Sequence, residues 1–174
     1  LALRDPDAGT PRGLIIGKRE PTMGLRGIPE TEIILENLEI PADMMLTPPE
    51  GSGRGFAGLM TAYNAQRVGA ATVALGLAQG AYELALDYAQ EREQFGRPIA
   101  EFQGLQWMLV DMGTGLEAAR LLIYKAATGP GKSGFPDITD TARAKILASE
   151  TAIWVTNDAL QIFGAAGDSR NLGL

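Results

Sequence analysis

From about Gly55 to Glu91 no proline interrupts the chain. At 1.5 Å per residue, a helix over that stretch would be on the order of 55 Å long. Such a rod needs other helices along its flank, and two later stretches supply them. Leu105, Leu109, Met112, Leu116, Ala119 and Ile123 recur at three- and four-residue spacing after a helix start near Glu101, the period of one helical face. A third helix is expected from about Thr139 to Phe163. It is apolar on several sides through Ile146, Leu147, Ile153, Trp154, Val155 and Leu160, and is therefore expected at the centre of a bundle. On the first helix, Val73, Leu77, Leu84 and Tyr88 read as the apolar face, and Gln79, Glu83, Asp87 and Gln90 as the polar one. Gly69, Gly76 and Gly80 cost helix propensity, and together with the small Ala70 they allow another helix or a ligand to come close.

Residues 1–50 read differently. Leu14, Ile15 and Ile16 follow the turn-forming PDAGTPRG, and Thr31, Ile33 and Leu35 alternate with Glu32, Ile34 and Glu36, the period of a half-buried strand. Leu38 and Ile40 continue that pattern to Pro41. Two or three strands do not close a core alone, so this part needs partners. The expected fold class is α+β, with residues 1–50 as one domain and an antiparallel helix bundle over residues 51–174 as the other. TPPEGSGRG and TGPGKSGFPD are the loops that punctuate it, and GAAGDSRNLGL is a glycine-rich tail.

Composition narrows the chemistry. The sequence contains no His and no Cys, which removes Ser-His-Asp and Cys-His catalysis, thiolate chemistry, disulfides and the usual zinc sites. No metal site is expected. A net charge of -6 disfavours a general nucleic-acid binder. LALRDPDAGTPRG does not read as a signal peptide. The uncharged run from Val68 to Tyr82 is shorter than the roughly 20 residues a spanning helix needs. A cytoplasmic location without a membrane span is the expectation.

Ligands must then be held by Arg, Gln, Asn, aromatic rings and backbone. EREQFGRPIAEFQGLQ, residues 91–106, sets Arg92 and Arg97 around Phe95 where two helices end and begin, with Gln103 at the start of the next. A guanidinium there suits phosphate oxygens, and Phe95 suits an aromatic base. The competing reading pairs Arg92 with Glu91 or Glu93 and uses Phe95 to plug the bundle end. Gln161, Gly164 and Gly167 form a second cluster, where glycine lets a ligand approach backbone. Asn64 and Arg67 form a third, with a solvated face as the alternative.

These residues converge on a family. RVGAATVALGLAQGAYELALDYAQEREQFGRPIAEFQGLQWMLVDM, with ALQIFGAAG downstream and MGLRG and TEIILENLEIPADMML upstream, closely resembles the acyl-CoA dehydrogenase family over nearly the whole chain. The resemblance implies the end of a β-barrel-like middle domain followed by most of the C-terminal helix bundle, in a homotetramer built as a dimer of dimers. It implies FAD as cofactor, with Arg92, Gln94, Phe95 and Gln103 reaching the FAD of a neighbouring subunit, and Gln161, Gly164 and Ala165 approaching the same cofactor. Tyr63, Asn64 and Arg67 match acyl-CoA positions. The first expectation from the family is α,β-dehydrogenation of an acyl-CoA, with electrons passed to an electron-transfer flavoprotein. The sequence departs from the family at Gln66, which occupies one of the two places where members carry the catalytic Glu; no catalytic base is assigned within the chain. The 3-sulfinopropionyl-CoA desulfinase branch lacks that Glu and releases sulfite, and AYNAQRVGA and FGAAGDSRN look closer to it. A non-catalytic helical association module is the third reading. Ala165 stands where the family frequently has Gly, and Asp168 where an aromatic residue is common.

Overall fold

The computed structural model describes residues 9–44, 55–129, 131 and 134–169. Most of TPPEGSGRG, part of TGPGKSGFPD and the end of the tail lie outside the described residues. The chain divides into two compact units, Leu1–Gly53 and Arg54–Leu174.

In the first unit, β1 (Leu14–Arg19) pairs antiparallel with β2 (Thr31–Leu35), setting Leu14 against Leu35 and Ile16 against Ile33. Between Ile16 and Arg19 the register shifts, with two residues of β1 facing Glu32 alone, the count of a β-bulge. Gly13 enters β1 at φ +91°, where an added Cβ would strike the Glu36 carbonyl oxygen. The expected strand over Leu38 and Ile40 does not form, because Asn37 at φ 50° turns the chain out of β2. The half-buried alternation is corrected too: every residue of β2 is exposed, Ile33 and Leu35 included. Among the described residues there is one two-stranded sheet here and no closed barrel.

The second unit is a three-helix arrangement: α1 (Gly55–Glu91), α2 (Gln103–Thr128) and α3 (Ile138–Phe163). The expected helix limits hold to within two residues. On α2, Leu109, Met112, Leu116, Ala119 and Ile123 are buried as their spacing requires, and Leu105 packs half-buried against them. α1 is packed differently from its expected face. Its buried positions are Asn64, Val68, Ala71, Leu75, Ala78, Ala81, Ala85 and Ala89, again at three- and four-residue spacing but dominated by alanine. Val73, Leu77 and Leu84 remain exposed. An alanine ridge lets a neighbouring helix approach closely, and α3 packs along α1. α3 answers with Ala144, Ala148, Val155 and Ala159. It packs against both α1 and α2, as expected of the central helix, yet Ile146 and Ile153 are 61% and 59% exposed, since two neighbouring helices leave part of its apolar surface uncovered.

Polar bonds set the helix ends and registers. Asp137 caps α3 by accepting from the Thr139 and Asp140 N–H groups. Across α1 and α2, Arg120 donates to Gln79 at 2.9 Å and pairs with Glu117 on its own helix. No helix among the described residues is long and apolar enough to cross a membrane, and no group of potential metal ligands is present among them.

Candidate functional site

Chain direction sorts the candidate residues into two ends of the bundle. The ring of Tyr88, in the last turn of α1, lies 4.6 Å from that of Phe163, the last residue of α3. α2 starts at the same end, because only a short hairpin separates it from α1. Arg92, Gln94, Phe95, Gln103, Gln161, Gly164 and Ala165 therefore share one end. Asn64 donates from Nδ2 to the Pro136 carbonyl at 3.3 Å, which ties the start of α1 to the entry of α3. Tyr63, Asn64, Gln66 and Arg67 share that opposite end. The 25 residues from Arg67 to Arg92 rise about 37 Å along α1.

At the first end, β3 (Glu93–Gln94) pairs with β4 (Arg97–Pro98) around a two-residue loop of Phe95 and Gly96. Both loop residues have positive φ, 55° and 79°, as a type I′ turn demands. Phenylalanine in that conformation is strained, on the order of 1–3 kcal/mol. It nonetheless stands 94% exposed at the tip, so it does not plug the bundle. Its ring meets Phe102 edge-on at 6.1 Å. The two arginines separate clearly. The Arg97 guanidinium sits 4.3 Å over the Phe102 ring and 4.0 Å from Glu101. Arg92 makes no ion pair among the described residues, with Glu91 and Glu93 or with any other carboxylate. Its backbone closes the hairpin instead, donating to Tyr88 and accepting from Ile99, each at 2.8 Å. Gln94 turns back on the carbonyl of Glu93, and Gln103 is the exposed first residue of α2.

Gln161 and Gly164 terminate α3, with the Gly164 N–H on the Gln161 carbonyl and Gly164 at φ 55°, ψ -133°, a glycine conformation. A Cβ at Gly164 would meet nothing within 4 Å, and Ala165 is exposed beside it. Gly167 is different: its missing Cβ makes room for the Leu160 carbonyl and the Phe163 side chain, so packing accounts for it. Sequence reasoning missed Phe102, which holds Arg97, and Gln106, whose side chain donates to the Ala100 carbonyl at 3.0 Å and braces the turn into α2. The F-x-x-x-Q spacing was their only signal.

An open arginine, an outward-facing aromatic ring and an accessible glycine backbone on one end make a donor set that fits a nucleotide carrying phosphates. At the other end, Tyr63, Gln66 and Arg67 are exposed, while Asn64 is only 4% exposed. Asn64 is thus no part of a solvated face. Its Oδ1 accepts from Arg67 Nη1 at 2.9 Å.

The same fold is found among known proteins. Residues 53–174 match the family described as Acyl-CoA dehydrogenase, C-terminal domain, and the chain belongs to the acyl-CoA dehydrogenase family. The 3-sulfinopropanoyl-CoA desulfinase of Paraburkholderia xenovorans is 63% identical over 157 residues, covering 90% of this chain and 40% of that protein. The cyclohex-1-ene-1-carbonyl-CoA dehydrogenase of Syntrophus aciditrophicus is 45% identical over 169 residues, covering 92% of this chain and 38% of the relative. Among solved structures, butyryl-CoA dehydrogenase from Megasphaera elsdenii superposes with a TM-score of 0.84 at 39% identity, over 92% of this chain and 41% of that one. The chain thus spans about 40% of the length of the curated relatives it matches.

Proposed function

We propose that this chain is the flavin- and acyl-CoA-holding part of a 3-sulfinopropanoyl-CoA desulfinase, with residues 1–50 as the end of its middle β domain. The observation that carries this reading is Gln66. It lies next to Arg67 in one of the places where family members hold a catalytic Glu, and an amide has no basicity with which to take an α-proton. The 63% identity to a desulfinase, against 45% to a dehydrogenase, supports the same order of readings.

Arg92, Gln94, Phe95 and Gln103, with Gln161, Gly164 and Ala165, hold the nucleotide end of FAD. Arg92 supplies charge for the phosphates, and Phe95 covers an aromatic ring. About 37 Å of helix separates this clamp from Arg67, which favours a clamp serving the flavin of a neighbouring copy in a dimer of dimers. Bound FAD supplies a polarised ring system against which the acyl thioester is oriented. Arg67, with Tyr63, binds the acidic acyl-CoA. Desulfination breaks the carbon–sulfur bond of the 3-sulfinopropanoyl group. The carbon gains a proton from water, and the sulfur leaves as hydrogensulfite with the water oxygen. Atoms and electrons balance, so no external electron acceptor takes part.

The relationship to a cyclic acyl-CoA dehydrogenase supports a second reading, α,β-dehydrogenation with an electron-transfer flavoprotein as acceptor and a base outside this chain. An anaerobic titration of the full-length protein with a panel of acyl-CoAs, following flavin bleaching and sulfite together, separates the two. The desulfinase reading expects stoichiometric sulfite from 3-sulfinopropanoyl-CoA and no lasting bleaching. Bleaching by a saturated acyl-CoA without sulfite would establish the dehydrogenase instead.

A further inference from the structure

Among the described residues, Asn64 is the one buried side chain that carries an amide, and both of its polar atoms are engaged. Nδ2 faces the Pro136 carbonyl, which accepts only, so the amide orientation is fixed and Oδ1 must point the other way. There it meets Arg67, one turn along α1 on the same helical face. Pro136 itself precedes Asp137, whose carboxylate caps α3. The start of α3, the amide and the guanidinium thus form one continuous polar connection. A carboxylate at position 64 would also reach Arg67, but it would neutralise the charge and oppose the Pro136 carbonyl. The neutral amide holds the long, otherwise exposed side chain while leaving its positive charge available to an anion.

We infer that Asn64 is a positioning residue that aims the Arg67 guanidinium at the acyl-CoA, not a group that touches the ligand. This rests on the reading of Arg67 as an acyl-CoA contact, and the test separates the two claims. In the flavin-loaded full-length enzyme, the affinity for succinyl-CoA, a carboxylate counterpart of the sulfinate substrate, is measured by calorimetry. Wild type is compared with Arg67→Ala, Asn64→Ala, Asn64→Asp and the Asn64→Ala/Arg67→Ala double variant, and thermal melting is followed throughout.

Arg67→Ala is expected to weaken binding about 10-fold or more, as for a lost hydrogen bond to a charged group. Asn64→Ala is expected to weaken it several-fold, and to add nothing once Arg67 is gone. Asn64→Asp is expected to weaken it at least as much as Asn64→Ala, because the charge is consumed. A purely structural brace would lower the melting temperature and reduce affinity equally in both backgrounds; that additivity, or wild-type affinity in Asn64→Ala, overturns the inference. Unchanged affinity in Arg67→Ala instead overturns the reading of Arg67 itself. Should Asn64→Ala fail to fold, Asn64→Ser carries the same cycle.

Discussion

The two ends of the bundle solve the problem of presenting an arginine in opposite ways. Near the start of α1, Arg67 is held by a buried amide that is itself anchored on backbone, so the cation is oriented before anything binds. At the far end, Arg92 has no carboxylate partner among the described residues and Phe95 points outward from a strained turn. Here the backbone is fixed and the side chains are left open. One end is organised from within; the other is left open.

Phe95→Gly attacks the open end and has effects of opposite sign. Loss of the ring should weaken flavin retention in the full-length enzyme by about 1–3 kcal/mol, the range for stacking an aromatic side chain on a base. Glycine at φ 55° should also relieve strain and raise the stability of the protein by about 1 kcal/mol. Flavin release on dialysis and thermal melting read the two separately. Asp137→Ala attacks the internally organised end: loss of the α3 cap should cost about 1 kcal/mol of stability, and by loosening Pro136 it should weaken acyl-CoA affinity without releasing flavin. Equal loss of both ligands would erase the distinction. The smallest effect is expected midway between the ends. A Cβ at Gly80 meets nothing within 4 Å in this chain, so Gly80→Ala should raise the melting point of the 174-residue chain by the equivalent of up to about 1 kcal/mol. If another segment covers that face in the full-length protein, the gain should vanish.

Much of this was legible in the sequence, for identifiable reasons. The absence of proline from Gly55 to Glu91 set the limits of α1, and the spacing of Leu109, Met112, Leu116 and Ile123 set the buried face of α2. The buried face of α1 was misread because the larger residues Val73, Leu77 and Leu84 outweighed alanine in the pattern, whereas close helix approach selects the small ones. Ile146, Ile153 and Ile33 were assigned to the interior because hydrophobicity marks a residue as needing cover without specifying which chain provides it. At the site, R-x-x-F-G-R-P located the helix break, and F-G at its centre is now seen as a two-residue hairpin loop. The residues alone did not divide the roles of Arg92 and Arg97, since both flank the same aromatic residue; only the family resemblance singled out Arg92. In the structure the stacking of Arg97 on Phe102 and its ion pair with Glu101 separate them. Asn64 and Arg67 were found as a pair, but the Pro136 carbonyl that fixes the amide lies 72 residues away in sequence and leaves no local signal.

The central claim, that the hairpin after α1 holds the phosphate-bearing end of FAD while Arg67 serves the acyl-CoA, is tested most directly by flavin content. Full-length Arg92→Ala and Arg67→Ala would be dialysed side by side at matched concentration. The account predicts that Arg92→Ala loses flavin, its retention weakened by about 1.5–3 kcal/mol as for a hydrogen bond to a charged group, while Arg67→Ala stays fully yellow. Undiminished flavin in Arg92→Ala, or equal loss from both proteins, would contradict it.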